Sequence, residues 1–429
     1  MRTTSFLLKH LKAAGWTMGL ALSLHASVAQ AAKNYAYSYL GNPQASVSAS
    51  PVSRTPSIVL MGGGYDVGAA FRWMIQRAGI GPASGGRFVV IRATGTDAYN
   101  PYIYSQLGTT DTTTPMGYEN VGGIDLGLTS VETLVIPSRE AAEDPFVLDV
   151  VAKASAIWIA GGNQADYFNF WQATSLDKAL QSALSRGIPV GGTSAGTAML
   201  GEYAFVALNG GVTSGDALLD PFNKYMTLDP LNVSSKNFLV TSGFLSASTL
   251  PNTIAEPHFN TRDRMGRLTS FVARIGNGCT NGVENYNKVY GIGIDEETAL
   301  LLSKDNSGNT LTKMVVNPYN ATNFAQSAYT GANSAYFVKM AAIAAQCKAN
   351  APLAIANGGI AVYRMSDPTP RPPTGSAPYS SYLTDNTLYL NQWLGSSLPN
   401  GSSLGKNITG PDYYGAGNGT VIRSGTTAY

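Results

Sequence analysis

Apolar runs of strand length close on glycine turns and reopen as helix-spaced segments, and this unit recurs through the first half of the chain. SIVLMGGGYD (57–66) is followed, from Val67 to Ala78, by helical spacing of Ala70, Phe71, Met74 and Ala78. RFVVIRATG (87–95) and ETLVIP (132–137) read as further strands, and residues 138–154 as a helix that starts at Ser138. ASAIWIAGGNQADYFNFW (154–171) gives a strand, a glycine turn and a helix predicted to run on to Leu184; IPVGGTSAGTAMLGEY (188–203) repeats the unit. Strands that are apolar along their whole length are buried on both faces. Their alternation with amphipathic helices predicts an α/β fold, a mostly parallel sheet with helices on both faces. Such sheets gather ligands at the carboxyl ends of their strands. The glycine turns at 62–64, 161–162 and 191–192 all fall there.

Beyond Phe205 the pattern changes. Residues 209–222 read as loop and 237–245 as a strand, while KVYGIGIDEETALLLS (288–303) reads as a hairpin of two strands joined at Asp295-Glu296-Glu297. Residues 337–347 suggest a helix and 358–365 a last strand. The expected organisation is a signal peptide (1–31), a leader (32–56), an α/β domain (57–365) and a Pro/Ser/Tyr-rich connector and tail (366–429).

The signal reading rests on a cationic start (Arg2, Lys9, Lys12), an apolar middle, and Ala29-Gln30-Ala31 as a small-residue cleavage site. The product is then secreted or periplasmic. Its removal takes away three cations and no acid, moving the formal charge from +2 to −1. Such a balance argues against nucleic acid as a partner. No run reaches the ~20 apolar residues of a membrane span, and a homodimer is left open. Export permits a disulfide between the only two cysteines, Cys279 and Cys347, with two buried thiols as the alternative. Two cysteines and one distant histidine give poor metal-ligand spacing, so no metal or other cofactor is expected.

Gly192-Thr193-Ser194-Ala195-Gly196 fits the G-x-S-x-G elbow, a pattern that is weak alone in a chain with 47 glycines. Its setting adds weight, because an apolar strand precedes it and a helix-forming run follows. Ser194 is then either a nucleophile, with the Ala195 N–H facing an oxyanion, or a small residue in a tight turn. A serine nucleophile requires a base and a group to orient it. With His10 and His25 in the predicted signal, His258 is the one imidazole left. It stands in EPHFNTRDRMGRL (256–268), among Glu256, Arg262, Arg264 and Arg267. Those arginines are either a basic surface or a clamp for substrate carboxylates. The Asp295-Glu296-Glu297 cluster follows, so the chain order is Ser, His, acid.

GGTSAGTAM, GGNQADYF, EPHFNTRDRMGRL and GIGIDEETA, in that order across roughly residues 57–303, resemble the cyanophycinases, whose serine peptidase family also contains the α-aspartyl dipeptidases. The resemblance implies a class I glutamine-amidotransferase-like (flavodoxin-like) fold. It implies a Ser194–His258–Glu296 triad, an oxyanion site at Ala195 and Gly162, and pocket residues Asn163, Gln164, Glu256, Arg262, Arg264 and Arg267. It implies as substrate cyanophycin or a related Asp/Arg peptide, a poly-aspartate with arginine on each β-carboxyl, cut to β-Asp-Arg dipeptides. This chain has Asn163-Gln164 where the family commonly has Asp-Gln, and Glu256-Pro257-His258 where it commonly has Asp-Gln-His. Another exported serine hydrolase, or a surface binding protein with an inert serine, stays open at this point.

Overall fold

The computed structural model describes residues 33–229, 250–304, 310–317, 333–355, 360–366 and 383–389, save for 54, 111–115, 118, 251, 277–278, 280–287, 342 and 345. The predicted signal, the strand expected at 237–245 and most of the tail lie outside the described residues. The elements run β1 (Ala36–Gly41), β2 (Ile58–Met61), α1 (Gly68–Arg77), β3 (Arg87–Arg92), α2 (Tyr99–Ile103), β4 (Ser130–Val135), α3 (Arg139–Ala142), α4 (Pro145–Ala152), β5 (Ala156–Ile159), α5 (Gln164–Trp171), α6 (Ser175–Ser185), β6 (Val190–Thr193) and α7 (Ala195–Ala198). There follow β7 (Ala204–Phe205), α8 (Ser214–Leu219), β8 (Leu228–Asp229), β9 (Thr253–Glu256), α9 (Met265–Ile275), β10 (Tyr290–Ile294), β11 (Thr298–Lys304), β12 (Thr310–Val316), β13 (Ser334–Met340), β14 (Ile360–Ser366) and β15 (Leu383–Tyr389).

Among the described residues the main sheet has nine strands in the order β1-β4-β3-β5-β6-β2-β11-β12-β15. The run from β4 to β2 is parallel throughout, as the sequence predicts. Its strands divide their side chains between two cores. Ile58, Leu60, Val89, Ile91, Ile157 and Ile159 pack with α3 to α6 on one face. Val59, Met61, Phe88, Val90, Ala156 and Trp158 pack with α1 and α2 on the other. Each such side chain contributes about 1.5–3 kcal/mol on burial, so a strand apolar at every position is stable only with helices on both sides. A second sheet, β14-β13-β10-β9, carries a third core with α8 and α9, including Phe259, Leu268, Phe271 and Tyr336.

Several expectations are corrected. The helix over 138–154 is two, because Asp144 caps a new start through the Phe146 N–H and Pro145 occupies its first position. The helix expected to reach Leu184 breaks at Ala173, whose φ of 57° ends α5, and Thr174 caps α6. The 209–222 loop contains α8, capped by Thr213 over Asp216, a T-x-x-D signal present in the sequence. Residues 337–347 contain no described helix; 334–340 form β13, zipped between β10 and β14. The leader supplies β1 and the tail β15, so the main sheet extends past the expected 57–365 bounds at both ends. Strand β14 is therefore not the last.

The predicted hairpin at 288–303 does not form. Strand β10 joins the second sheet beside β9 and β13, whereas β11 joins the main sheet beside β2 and β12. The acidic segment 295–297 is the bridge between the two sheets. Cys279 and Cys347 form a disulfide.

Candidate active site

Four strand ends converge on the site. Ser194 follows β6, His258 lies just beyond β9, Glu296 just beyond β10, and Gly62-Gly63 continue from β2. Ser194 is held at φ 53° and ψ −120°, an uncommon conformation for a residue with a side chain, and is half-buried. The glycines around it are steric necessities. A Cβ on Gly196 would stand 2.1 Å from the Ile159 carbonyl oxygen, and one on Gly192 would stand 2.7 Å from the Gly196 carbonyl carbon. Thr197 fastens the elbow to β2, since its hydroxyl accepts from the Met61 N–H at 2.9 Å and lies 2.7 Å from the Met61 carbonyl.

The three nominated side chains meet. Ser194 Oγ lies 2.7 Å from His258 Nε2, and His258 Nδ1 lies 2.5 Å from Glu296 Oε1. A carboxylate accepts only, so the ring proton sits on Nδ1 and Nε2 is free to accept from the serine hydroxyl. Burial pushes the imidazole below its ordinary pKa, against the opposing pull of its hydrogen bond to Glu296. Glu296 is itself lowered, first by that same hydrogen bond. Its neighbour Glu297 is buried and pushed up to about 7 by burial and by the Glu296 charge, and its backbone is turned to φ 58°. Glu296 is thus the carboxylate on the ring. Asp295 has a structural place, accepting from the N–H groups of Asn260 (3.1 Å) and Ser334 (3.0 Å).

Sequence reasoning missed what aligns the three. Successive carbonyls of the β2 end receive one backbone N–H from each of the three segments: Met61 from Ser194 (3.2 Å), Gly62 from His258 (2.7 Å) and Gly63 from Glu297 (2.8 Å). Gly63, at φ 101°, lies against the imidazole, and a Cβ there would stand 2.3 Å from His258 Cε1. The Met-Gly-Gly-Gly run at 61–64 was the available signal, legible as a turn but not as a template.

The remaining nominees divide. The 161–162 turn abuts the serine, a Cβ on Gly161 falling 3.3 Å from Ser194 Cβ, and Tyr167 steadies it by donating to the Ala160 carbonyl at 2.7 Å. Among the described residues no protein acceptor engages the N–H of Gly162 or of Ala195. Asn163 caps α5 through the Ala165 N–H, and Gln164 donates to the Phe205 carbonyl at 2.9 Å. Arg262 is exposed and close enough for its charge to lower both His258 and Glu296.

The expected substrate contacts of Glu256, Arg264 and Arg267 are corrected. These side chains turn inward and satisfy one another. Arg267 grips Glu256 with Nε at 3.0 Å and Nη2 at 2.5 Å, its Nη1 donates to the Val212 carbonyl, and it lies over the Phe205 ring. Arg264 Nη1 bonds Glu256 at 2.8 Å. Buried charges persist only when paired, and the spacing of charges in the sequence could not say which pairs would close on themselves.

Fold and site together define an α/β protein with a serine–histidine–glutamate relay at the carboxyl ends of its strands. The profile of peptidase family S51 matches residues 116–212, which include the 161–162 turn and the Ser194 elbow. A cyanophycinase of Geminocystis herdmanii (strain PCC 6308) is 26% identical over 182 residues, 42% of this chain and 55% of that one. A cyanophycinase of Trichormus variabilis (strain ATCC 29413 / PCC 7937) is 26% identical over 213 residues, 49% of this chain and 60% of that one. The chain spans about half the length of the curated relatives it matches. The crystal structure of a peptidase from an acI-B1 Actinobacterium aligns with 61% of this chain and 91% of its own length, at 17% identity and a TM-score of 0.37. The chain is thus similar to peptidase family S51 over residues 116–212 and to cyanophycinases over somewhat less than half of its own length.

Proposed function

We propose that the chain is a serine peptidase that degrades cyanophycin, or a related Asp/Arg peptide, to β-Asp-Arg dipeptides, and that residues 1–31 direct its export. The observation that carries the chemistry is the continuous relay from Ser194 Oγ through His258 to Glu296, at 2.7 and 2.5 Å. His258 Nε2 takes the hydroxyl proton as Oγ attacks the peptide carbonyl, and Glu296 stabilises the resulting imidazolium. The N–H groups of Ala195 and Gly162 receive the oxyanion, each contributing about 3 kcal/mol of transition-state stabilisation. The imidazolium then protonates the leaving amine. Water, deprotonated by the same ring, hydrolyses the acyl-enzyme. The scheme uses no metal or organic cofactor.

The substrate reading is supported by the relatives named cyanophycinase and by Arg262, exposed beside the relay as a cation for a substrate carboxylate. The export reading is supported by the pattern of residues 1–31 and by the Cys279–Cys347 disulfide, a bond that oxidising compartments preserve. The test of activity is cleavage of cyanophycin, aspartyl dipeptides and p-nitrophenyl esters side by side, with mass spectrometry of the products. Release of β-Asp-Arg by wild type and none by Ser194→Ala is expected. Turnover of dipeptides alone overturns the polymer reading, and turnover by Ser194→Ala overturns the nucleophile. Amino-terminal sequencing of the protein outside the producing cytoplasm tests export, with Ala32 expected first.

A further inference from the structure

The peptide group between Pro257 and His258 is gripped on both edges. Its N–H donates to the Gly62 carbonyl at 2.7 Å, and its carbonyl accepts from Arg264 Nη1 at 2.8 Å. A peptide unit is planar, so hydrogen bonds on opposite edges fix how the plane is rotated, and with it φ of His258. That angle is 49°, a left-handed value that a residue with a side chain holds only where its surroundings impose it. Proline at 257 has no N–H of its own. The carbonyl is therefore the handle that this residue offers. The same Arg264 Nη1 bonds Glu256 Oε1, and Glu256 lies on β9 with both oxygens also held by Arg267. The guanidinium thus ties the end of the strand to the turn that presents the base. Arg264 further donates its backbone N–H to Phe259, closing the loop around the histidine.

We infer that Arg264 is a positioning residue: by holding the Pro257 carbonyl it sets the backbone rotation that aims the His258 ring between Ser194 and Glu296. The inference rests on the proposed serine chemistry. It differs from the carboxylate-clamp role that the sequence suggests for this arginine, and the two part company with a reagent that has no carboxylate.

Diisopropyl fluorophosphate is such a reagent. Ser194 Oγ forms a bond to phosphorus, fluoride leaves, and the hydroxyl proton passes to His258. Labelling of the full chain is followed by mass spectrometry for wild type, Arg264→Gln and Arg264→Lys, with circular dichroism to show that each is folded. Wild type is expected to take one label, at Ser194. Arg264→Gln is expected to label at least about tenfold more slowly, and to lose kcat on substrate with KM within about twofold. Arg264→Lys should fall between the two, because an ammonium can serve one of the two acceptors. If Arg264→Gln does not fold, Arg264→Lys carries the test, with a loss of about threefold expected. Wild type that takes no label overturns the serine reading and this inference with it. Labelled wild type beside folded variants that label at the same rate, with only KM raised, overturns the inference and leaves the serine reading standing.

Discussion

Replacing Gly63 with alanine tests the alignment of the relay without touching any of its three side chains. The new Cβ would stand 2.3 Å from His258 Cε1, against an ordinary contact of 3.4 Å or more, so the ring must retreat by about 1 Å. Starting from 2.7 Å, the gap between Ser194 Oγ and Nε2 then opens to as much as about 3.7 Å, which takes it beyond hydrogen-bond range. A misplacement of about 1 Å costs on the order of 100-fold in rate, or about 2.7 kcal/mol in the barrier. An L side chain at φ 101° adds strain of about 1–3 kcal/mol to the folded state. Gly63→Ala is therefore expected to melt at a lower temperature, remain folded, and lose about 100-fold in both hydrolysis of the proposed substrate and fluorophosphonate labelling of Ser194. A folded variant that keeps both rates within about threefold of wild type refutes the geometry argued for the ring.

Three further outcomes are expected. The acid limb of kcat/KM should have its midpoint below the ordinary imidazole value of about 6.5: His258 serves as base only when neutral, and burial keeps it neutral to lower pH, so a limb centred above that value contradicts the assignment. Glu256→Gln leaves the buried Arg267 and the half-buried Arg264 without their counter-charge and should cost about 3–5 kcal/mol in urea unfolding; a change below about 1 kcal/mol speaks against the inward ion cluster. Replacing Cys279 and Cys347 with serine frees a closed loop spanning a sequence separation of 68 and should cost about 2–4 kcal/mol, read from the same unfolding curves.

The parallel core and the meeting of Ser194, His258 and Glu296 were legible because both are written locally. A strand apolar at every position declares burial on two faces, and in such a sheet the residue just past the strand is the one presented to ligands. Ser194, His258 and Glu296 all stand within two residues of a strand end. What could not be read is pairing between distant segments. GIGIDEETALL looks like a hairpin because strand, acidic turn and strand follow in order, yet β10 finds β9 and β13 while β11 finds β2. One clue was present: Gly291 and Gly293 recur on one face of β10, where any Cβ would strike Leu268 or Phe259. Ala-rich residues 337–347 carry a helical pattern, but 334–340 lie between two strand partners, and tertiary pairing outweighs propensity. Glu256 and its arginines misled for a related reason: charge spacing reveals that cations gather, not whether they face solvent or each other.

Ser194 hangs from one sheet, while His258 and Glu296 hang from the other. The proposed activity consequently reports on how two separately built slabs are docked, and the carbonyls of residues 61–63 are the rivets. A slip of about 1 Å between the slabs parts serine from imidazole while the histidine–glutamate pair travels intact. Such a molecule would keep its cores, its disulfide and its spectrum, and yet be silent. Loss of turnover in variants far from the centre is then to be sought first in misalignment of the slabs, and only afterwards in unfolding.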